Sequence, residues 1–304
     1  MTFLKAFFRQ EFEARGIDMS NEPFIQALEI ALHTNKSLFL TGKAGTGKTT
    51  FLHTLRRINS AKNMVVVAPT GVAAINAKGK TIHSFFKVDP RQLFLPGDPR
   101  LQPKASGNSG SIFDTFRYSK SRLNLIKNLD LLVIDEISMV RVELLDLLDQ
   151  VLRLFRRKRH LPFGGVQLVL IGDPFQLPPV VRENDWSLLS THYETRFFFS
   201  AHSFQQLQPY HIALQKIYRQ KDEKFKDLLN RIRESRHSQE DIEFLNRRAA
   251  AYRFETVGPG IHHAGYPQPL DSPNQPTKAG HARKSGAHVS GHARRRFPAF
   301  HGPF

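Results

Sequence analysis

Gly42-Lys43-Ala44-Gly45-Thr46-Gly47-Lys48-Thr49 matches the pattern G-x-x-x-x-G-K-[ST] at every fixed position. Before it stands Ser37-Leu38-Phe39-Leu40, a short apolar strand candidate. After it, Thr50-Phe51-Leu52-His53-Thr54-Leu55 reads as the start of a helix. Strand, glycine-rich loop and helix form the setting in which such a run cradles phosphate. Glycines let the backbone close around the oxygens, and the N–H groups at the helix start face the anion. On this reading Gly42, Gly45, Thr46, Gly47, Lys48, Thr49 and Thr50 line a nucleotide site. Lys48 reaches the β- and γ-phosphates and Thr49 holds Mg²⁺. A glycine-rich turn with a chance lysine would not bring both flanks with it.

Working outward, short β-branched or aliphatic runs recur at Met64–Ala68, Leu131–Ile134 and Leu168–Ile171. Continuous apolar strands of this kind suit a parallel sheet buried on both faces. Between the last two, Leu144, Leu145, Leu148, Val151, Leu152 and Phe155 repeat at helical spacing. The fold expected is α/β: a P-loop NTPase with a RecA-like parallel sheet and helices on both faces. Residues 87–120 are rich in Pro, Gly, Ser and Lys/Arg and read as an inserted loop or small subdomain. Residues 222–247 are helical in pattern, with a Ser238…Asp241 N-cap signal.

Beyond about Tyr252 the periodicity stops. Residues 255–304 hold seven Gly, seven Pro and six His, with only Val257, Ile261, Leu270 and Val289 as larger aliphatic residues. Such a composition cannot bury a core and is expected to be disordered. The expected division is therefore a P-loop ATPase lobe at 1–195, the start of a second lobe at 196–250, and a basic tail at 251–304. The abrupt loss of pattern after about Arg247 also fits a change of reading frame, which resequencing of the gene would test.

The chain has 304 residues and no cysteine, which removes disulfides, cysteine-ligated zinc and thiol catalysis and fits a cytosolic setting. No run of about 18 apolar residues marks a membrane span. The formal charge is +17, of which residues 255–304 contribute +4, so the body itself is basic. A polyanion, most simply nucleic acid, is the partner such an excess favours.

Two further runs carry chemistry. Ile134-Asp135-Glu136 closes a strand. Downstream of a P-loop, Asp135 can hold Mg²⁺ and Glu136 can polarise the attacking water; taken alone, the pair could equally cap the next helix. Gly172-Asp173-Pro174-Phe175-Gln176-Leu177-Pro178-Pro179 follows the next strand. Gln176 there can bond a γ-phosphate or the attacking water, though by itself the run reads as a proline-rich turn.

The segments Gly42–Thr49, Ala68-Pro69-Thr70-Gly71-Val72-Ala73-Ala74, Thr81-Ile82-His83-Ser84-Phe85-Phe86, Ile134–Val140, Gly172–Pro179 and Tyr218-Arg219-Gln220 follow one another in this order. Together they resemble the Pif1-like helicases of superfamily 1B, over roughly residues 20–247. The resemblance implies a 5′→3′ DNA helicase with two RecA-like lobes, driven by ATP with Mg²⁺. It acts on single-stranded DNA and DNA junctions in repair, recombination or replication, with telomere maintenance among eukaryotic relatives. It further implies that Lys48, Asp135, Glu136 and Gln176 serve catalysis, with Asp135 and Thr49 at the metal, and that Arg219 is an arginine finger. Gln26 would read adenine, although Asn21–Phe24 departs from the family pattern. Thr70, His83 and Phe85 would lie on the DNA, and the insertion, with Arg91, Arg100, Lys104, Arg117, Lys120 and Arg122, would resemble the accessory subdomain that carries the strand-separating wedge. A monomer is expected, in the cytoplasm and on the nucleoid if the chain is bacterial. The family's later second-lobe motifs find no match in 248–304. The alternative is thus a truncated, non-motor fragment that binds ATP and single-stranded DNA without unwinding. A P-loop ATPase acting on protein is disfavoured by the Ala68–Ala74 and Thr81–Phe86 runs.

Overall fold

A computed structural model describes residues 10, 12–103, 111–216, 218 and 223–256. Six strands, β1 (Leu38–Gly42), β2 (Met64–Ala68), β3 (Lys80–Thr81), β4 (Leu131–Ile134), β5 (Gln167–Ile171) and β6 (Tyr210–Leu214), form one sheet in the order β3-β2-β4-β5-β1-β6. Every neighbouring pair is parallel. From Glu22 onward, the α-helices among the described residues are α1 (Glu22–His33), α2 (Lys48–Ile58), α3 (Gly71–Asn76), α4 (Ile82–Phe86), α5 (Ile112–Thr115), α6 (Lys120–Lys127), α7 (Val142–Phe155), α8 (Glu183–Leu189), α9 (His202–Leu207), α10 (Glu223–Arg233) and α11 (Gln239–Thr256).

β4 and β5 are buried at every residue, as uninterrupted apolar strands covered on both faces must be. Their alternate side chains enter two cores. Leu132, Ile134, Leu168 and Leu170 join the side that holds α7, while Leu131, Val133, Val169 and Ile171 join the side that holds α1 and α2. The six apolar α7 positions picked out by helical spacing are all buried. None of the described helices is long and apolar enough to cross a membrane.

Three expectations change on contact with the fold. Residues 87–120 are not a separate subdomain among the described residues: Val88, Phe94, Leu101, Ile112 and Phe116 are buried in the α7-side core. Strand β6, from the stretch assigned to a second lobe, instead pairs with β1 from Leu38↔Tyr210 to Gly42↔Leu214 and extends the first sheet. The backbone hydrogen bonds left open on the far edge of β1 favour this addition. Helix α11 continues to Thr256, past the start of the expected tail; residues 257–304 lie outside the described ones.

Contacts divide the chain into 1–236 and 237–304. The first unit carries the sheet. In the second, Ser238 starts α11 by reciprocal capping: its hydroxyl accepts from Asp241 N–H at 3.2 Å, and the Asp241 carboxylate accepts from Ser238 N–H at 3.0 Å.

Candidate nucleotide and nucleic-acid site

The C-terminal ends of β1, β4 and β5 lie side by side, with Leu40 opposite Ile171 and Ile134 opposite Leu170. The three loops that follow therefore open on one edge of the sheet, where open α/β sheets bind ligands. The P-loop turns out of β1 at Gly42, where a Cβ would stand 2.5 Å from Thr46 Oγ1 and 2.8 Å from the Leu214 carbonyl oxygen. Gly47 precedes α2 at φ +96°, a left-handed conformation that an L side chain strains to adopt. Thr46 is buried and donates from Oγ1 to the Lys43 carbonyl at 2.9 Å. Thr49 and Thr50 are exposed at the start of α2.

Lys48 Nζ donates to the carbonyls of Gly42 at 2.6 Å and Lys43 at 3.2 Å. Burial pulls its pKa below the ordinary lysine value; Asp173, Glu136 and Asp135 oppose that pull, while Arg233 adds to it. Asp135, directly after β4, is pushed up to about 6, first by burial and then by the neighbouring Glu136 carboxylate. Glu136 sits in the left-handed region at φ 52° and ψ 45°. For a residue with a Cβ this costs about 1–3 kcal/mol, and such strain gathers at functional sites. The turn beyond it packs closely on the end of β5: a Cβ on Gly172 would lie 2.9 Å from Ile137 Cγ2.

Asp173 is 0 % exposed, and its ion-pair partner is Arg233, on α10. Arg233 Nε and Nη2 donate to its two oxygens at 2.8 and 2.7 Å, and the guanidinium lies 4.3 Å from the centre of the Phe175 ring. Gln176 Nε2 donates to Asp173 Oδ2 at 3.3 Å, so the phosphate-sensing candidate is tied to this pair. The run Gly172–Pro179 by itself gives Asp173 no role, and Arg233 carries no local signal: its meaning depends on a carboxylate sixty positions away.

Tyr218 was likewise unassigned. Strand β6 delivers it to the P-loop, where its N–H donates to the Gly45 carbonyl at 2.9 Å. Its hydroxyl accepts from Asn21 Nδ2 at 3.0 Å, and the ring of this half-exposed residue comes to 3.9 Å from a Cβ placed on Gly47. Gln26 is exposed and donates to Glu22 Oε1 at 3.2 Å on its own helix, whereas Asn21 makes the link to Tyr218. Arg219 lies outside the described residues.

Thr70 and His83 follow the C-terminal ends of β2 and β3, on the same sheet edge. Thr70 caps α3, accepting from Ala73 N–H at 3.2 Å, and both side chains are half-buried. Burial lowers the His83 pKa, with Arg141 adding to the effect and Asp89 opposing it. Phe85 is corrected: it is 2 % exposed and packs edge to face on Phe86 at 4.9 Å, so it belongs to the core and cannot stack on a base. Three arginines of the insertion are also committed. Arg91 pairs with Asp89, Arg100 with Asp98, and Arg122 Nη1 donates to the carbonyls of Ser84 and Phe85. Arg117 and Lys120 remain exposed, and Lys104 lies outside the described residues.

No group of three or more His, Cys, Asp or Glu that could hold a metal occurs among the described residues. A Mg²⁺ ion accompanying a nucleotide needs no such cluster, since phosphates and water supply most of its ligands. The Thr49 hydroxyl and the Asp135 carboxylate fit that modest demand.

A family profile described as PIF1-like helicase matches residues 22–95 and 103–243. The chain is 39 % identical over 202 residues to the ATP-dependent DNA helicase PIF1 of Saccharomyces cerevisiae (strain YJM789), covering 65 % of this chain and 21 % of the yeast protein. With the human ATP-dependent DNA helicase PIF1 it shares 34 % identity over 210 residues, or 69 % and 29 % of the two chains. Among solved structures it is similar to Bacteroides Pif1 bound to ssDNA, with TM-score 0.64, 38 % identity, and 74 % and 49 % of the two chains covered. The Bacteroides Pif1 complex with ADP-AlF3 and ssDNA aligns with TM-score 0.59 at 39 % identity, over 69 % and 45 %. The chain thus spans about half of these solved chains and 21–29 % of the two curated relatives. The matched span runs from the helix before the P-loop to the helix after α10 and takes in the whole sheet, so the chain belongs to the PIF1-like helicase family.

Proposed function

We propose that this chain is the nucleotide-hydrolysing part of an ATP-dependent DNA helicase that moves 5′→3′ on single-stranded DNA. The observation that carries the reading is that the P-loop with Lys48 after β1, Asp135 and Glu136 after β4, and the Asp173–Arg233 pair after β5 all lie at one edge of the sheet. A phosphate cradle with an adjacent pair of carboxylates is the equipment of phosphoryl transfer to water. Backbone N–H groups of the P-loop and Lys48 hold the phosphates. Thr49 and Asp135 hold Mg²⁺, which when bound offsets charge on the phosphate oxygens. Glu136, in the left-handed turn directly after β4, orients and deprotonates the attacking water. Gln176, bonded to the buried Asp173, links the phosphate end of the site to α10 through Arg233. Arg219 supplies a cation to the transferring phosphate.

The relatives' names, and the solved complexes with ssDNA and ADP-AlF3, support this reading. Thr70 and His83, on the same edge, contact the single strand. The protein acts as a monomer in the cytoplasm, in DNA repair, recombination or replication, and on the nucleoid if bacterial. ATP hydrolysis by the purified chain, with and without a single-stranded oligonucleotide, is the test. Stimulation by DNA supports a coupled motor site. Nucleotide binding without turnover would favour the second reading, a nucleotide-binding fragment without motor activity.

A further inference from the structure

Helix α7 is followed by Arg156-Arg157-Lys158-Arg159-His160, five basic residues in succession. The Arg157 N–H bonds to the Leu154 carbonyl and the Lys158 N–H to the Arg153 carbonyl, both at 3.0 Å. This is the Schellman closure, whose left-handed position is usually glycine. Here Arg157 occupies it at φ +60°, so a cation is held where backbone geometry favours no side chain. Arg156 is spent on structure, donating to the carbonyls of Gly164, Ile126 and Lys127 at 2.9, 2.8 and 2.7 Å. Arg157, Lys158, Arg159 and His160 are exposed. None of the ion pairs among the described residues includes Arg157, Lys158, Arg159 or Lys127.

Lys127, Arg157, Arg159 and His160 line an open groove of about 550 Å³ together with Leu154 and Phe155. Phe113 forms a wall, 47 % exposed and edge-on to Phe155 at 5.2 Å. The turn after α7 leads into the N-terminal end of β5, the sheet edge opposite the P-loop. Fourteen residues of helix separate the two edges, about 20 Å at 1.5 Å per residue. The groove is therefore separate from the nucleotide site and from Thr70 and His83.

We propose that this groove is a second binding site for single-stranded nucleic acid, with a base stacked on Phe113 and phosphates held by Lys127, Arg157 and Arg159. Exposed aromatic faces beside cations are what single strands use, because only unpaired bases offer free ring faces. A duplex would engage the cations and leave the apolar floor unused. The inference does not depend on motor activity, since it rests on residues outside the nucleotide site.

The test uses the full chain and a fluorescent oligothymidylate, with anisotropy measured across a salt series. It is run in a Thr70→Ala/His83→Ala background, so that the proposed strand contacts near the nucleotide site are weakened. Lys127→Ser/Arg157→Gly/Arg159→Ser should lower the slope of log K against log salt by about 2, at about 0.7 per phosphate for single strands. Arg157→Gly relieves the backbone, and the other two positions are exposed, so unchanged thermal melting controls for folding. Phe113→Ala should weaken binding about tenfold. An iodouridine-bearing strand should crosslink to Phe113, as read by mass spectrometry of the peptides. An unchanged slope together with no crosslink at residues 111–117 or 153–160 overturns the proposal. So does a triple variant that loses only duplex binding while Phe113→Ala changes nothing, or a site competed by an acidic protein or anionic vesicles and not by the oligonucleotide.

Discussion

Replacing Arg233 by Met removes the charge while keeping an unbranched apolar stem. Asp173, 0 % exposed, would lose two donors at 2.8 and 2.7 Å and keep only Phe175 N–H at 3.1 Å and Gln176 Nε2 at 3.3 Å. Breaking a buried pair by removing one partner costs about 3–5 kcal/mol, because the remaining charge stays desolvated. The lower figure applies here, since Arg233 is 17 % exposed and the Lys48 ammonium nearby partly compensates. About 3 kcal/mol corresponds to a melting temperature lower by about 6–12 °C for a unit of this size. Urea denaturation of Arg233→Met, Asp173→Asn and the double variant measures both the loss and the coupling. The double variant should be less damaged than the sum of the singles by about 2 kcal/mol or more. If Arg233→Met lies within 1 kcal/mol of the parent, or the effects simply add, the pair does not join α10 to the nucleotide edge and the coupling route through Gln176 fails with it.

Other consequences follow from the same geometry. Asp135 has its folded pKa raised from 3.8 to about 6, so it binds its proton more tightly folded than unfolded. Stability should therefore fall as pH rises from about 4 to about 6, by up to about 3 kcal/mol for a shift of this size. In metal-free protein at pH 7.5, Asp135→Asn should melt higher than the parent while losing ATP turnover; a lower melting point would contradict the burial argument. Phe85→Ala should cost about 3–4 kcal/mol as a core truncation, with single-strand affinity per folded molecule unchanged in a binding titration. Lys48→Ala should reduce ATP hydrolysis by at least about a hundredfold, the loss of about 3 kcal/mol of transition-state stabilisation; turnover within tenfold of the parent would remove Lys48 from the phosphate site. Arg157→Gly should leave denaturant stability unchanged or raise it by about 1 kcal/mol, since left-handed backbone is strained only for residues with a Cβ; a clear loss would mean that the arginine side chain holds the turn.

The sequence alone determined the P-loop, the buried strands Met64–Ala68, Leu131–Ile134 and Leu168–Ile171, the α7 face and the α11 cap. Each is written within a few residues, as a spacing of glycines, a β-branched run, a 3.6-residue period or a Ser–Asp cap. The motif order also carried the family. Only tertiary structure decided where β6 pairs, because Tyr210–Leu214 is mostly exposed and has little apolar pattern; its place comes from the free edge of β1. The same holds for Phe85, whose aromatic ring reads equally well as a stacking platform or as core until Phe86 and Arg122 are seen on it. Tyr218 and Arg233 acquire meaning only from distant partners, the Gly45 carbonyl and the buried Asp173 carboxylate. Local sequence specifies conformation through short-range sterics and periodicity, whereas a buried charge pair or an edge-strand pairing is specified by what else the fold brings within about 3 Å.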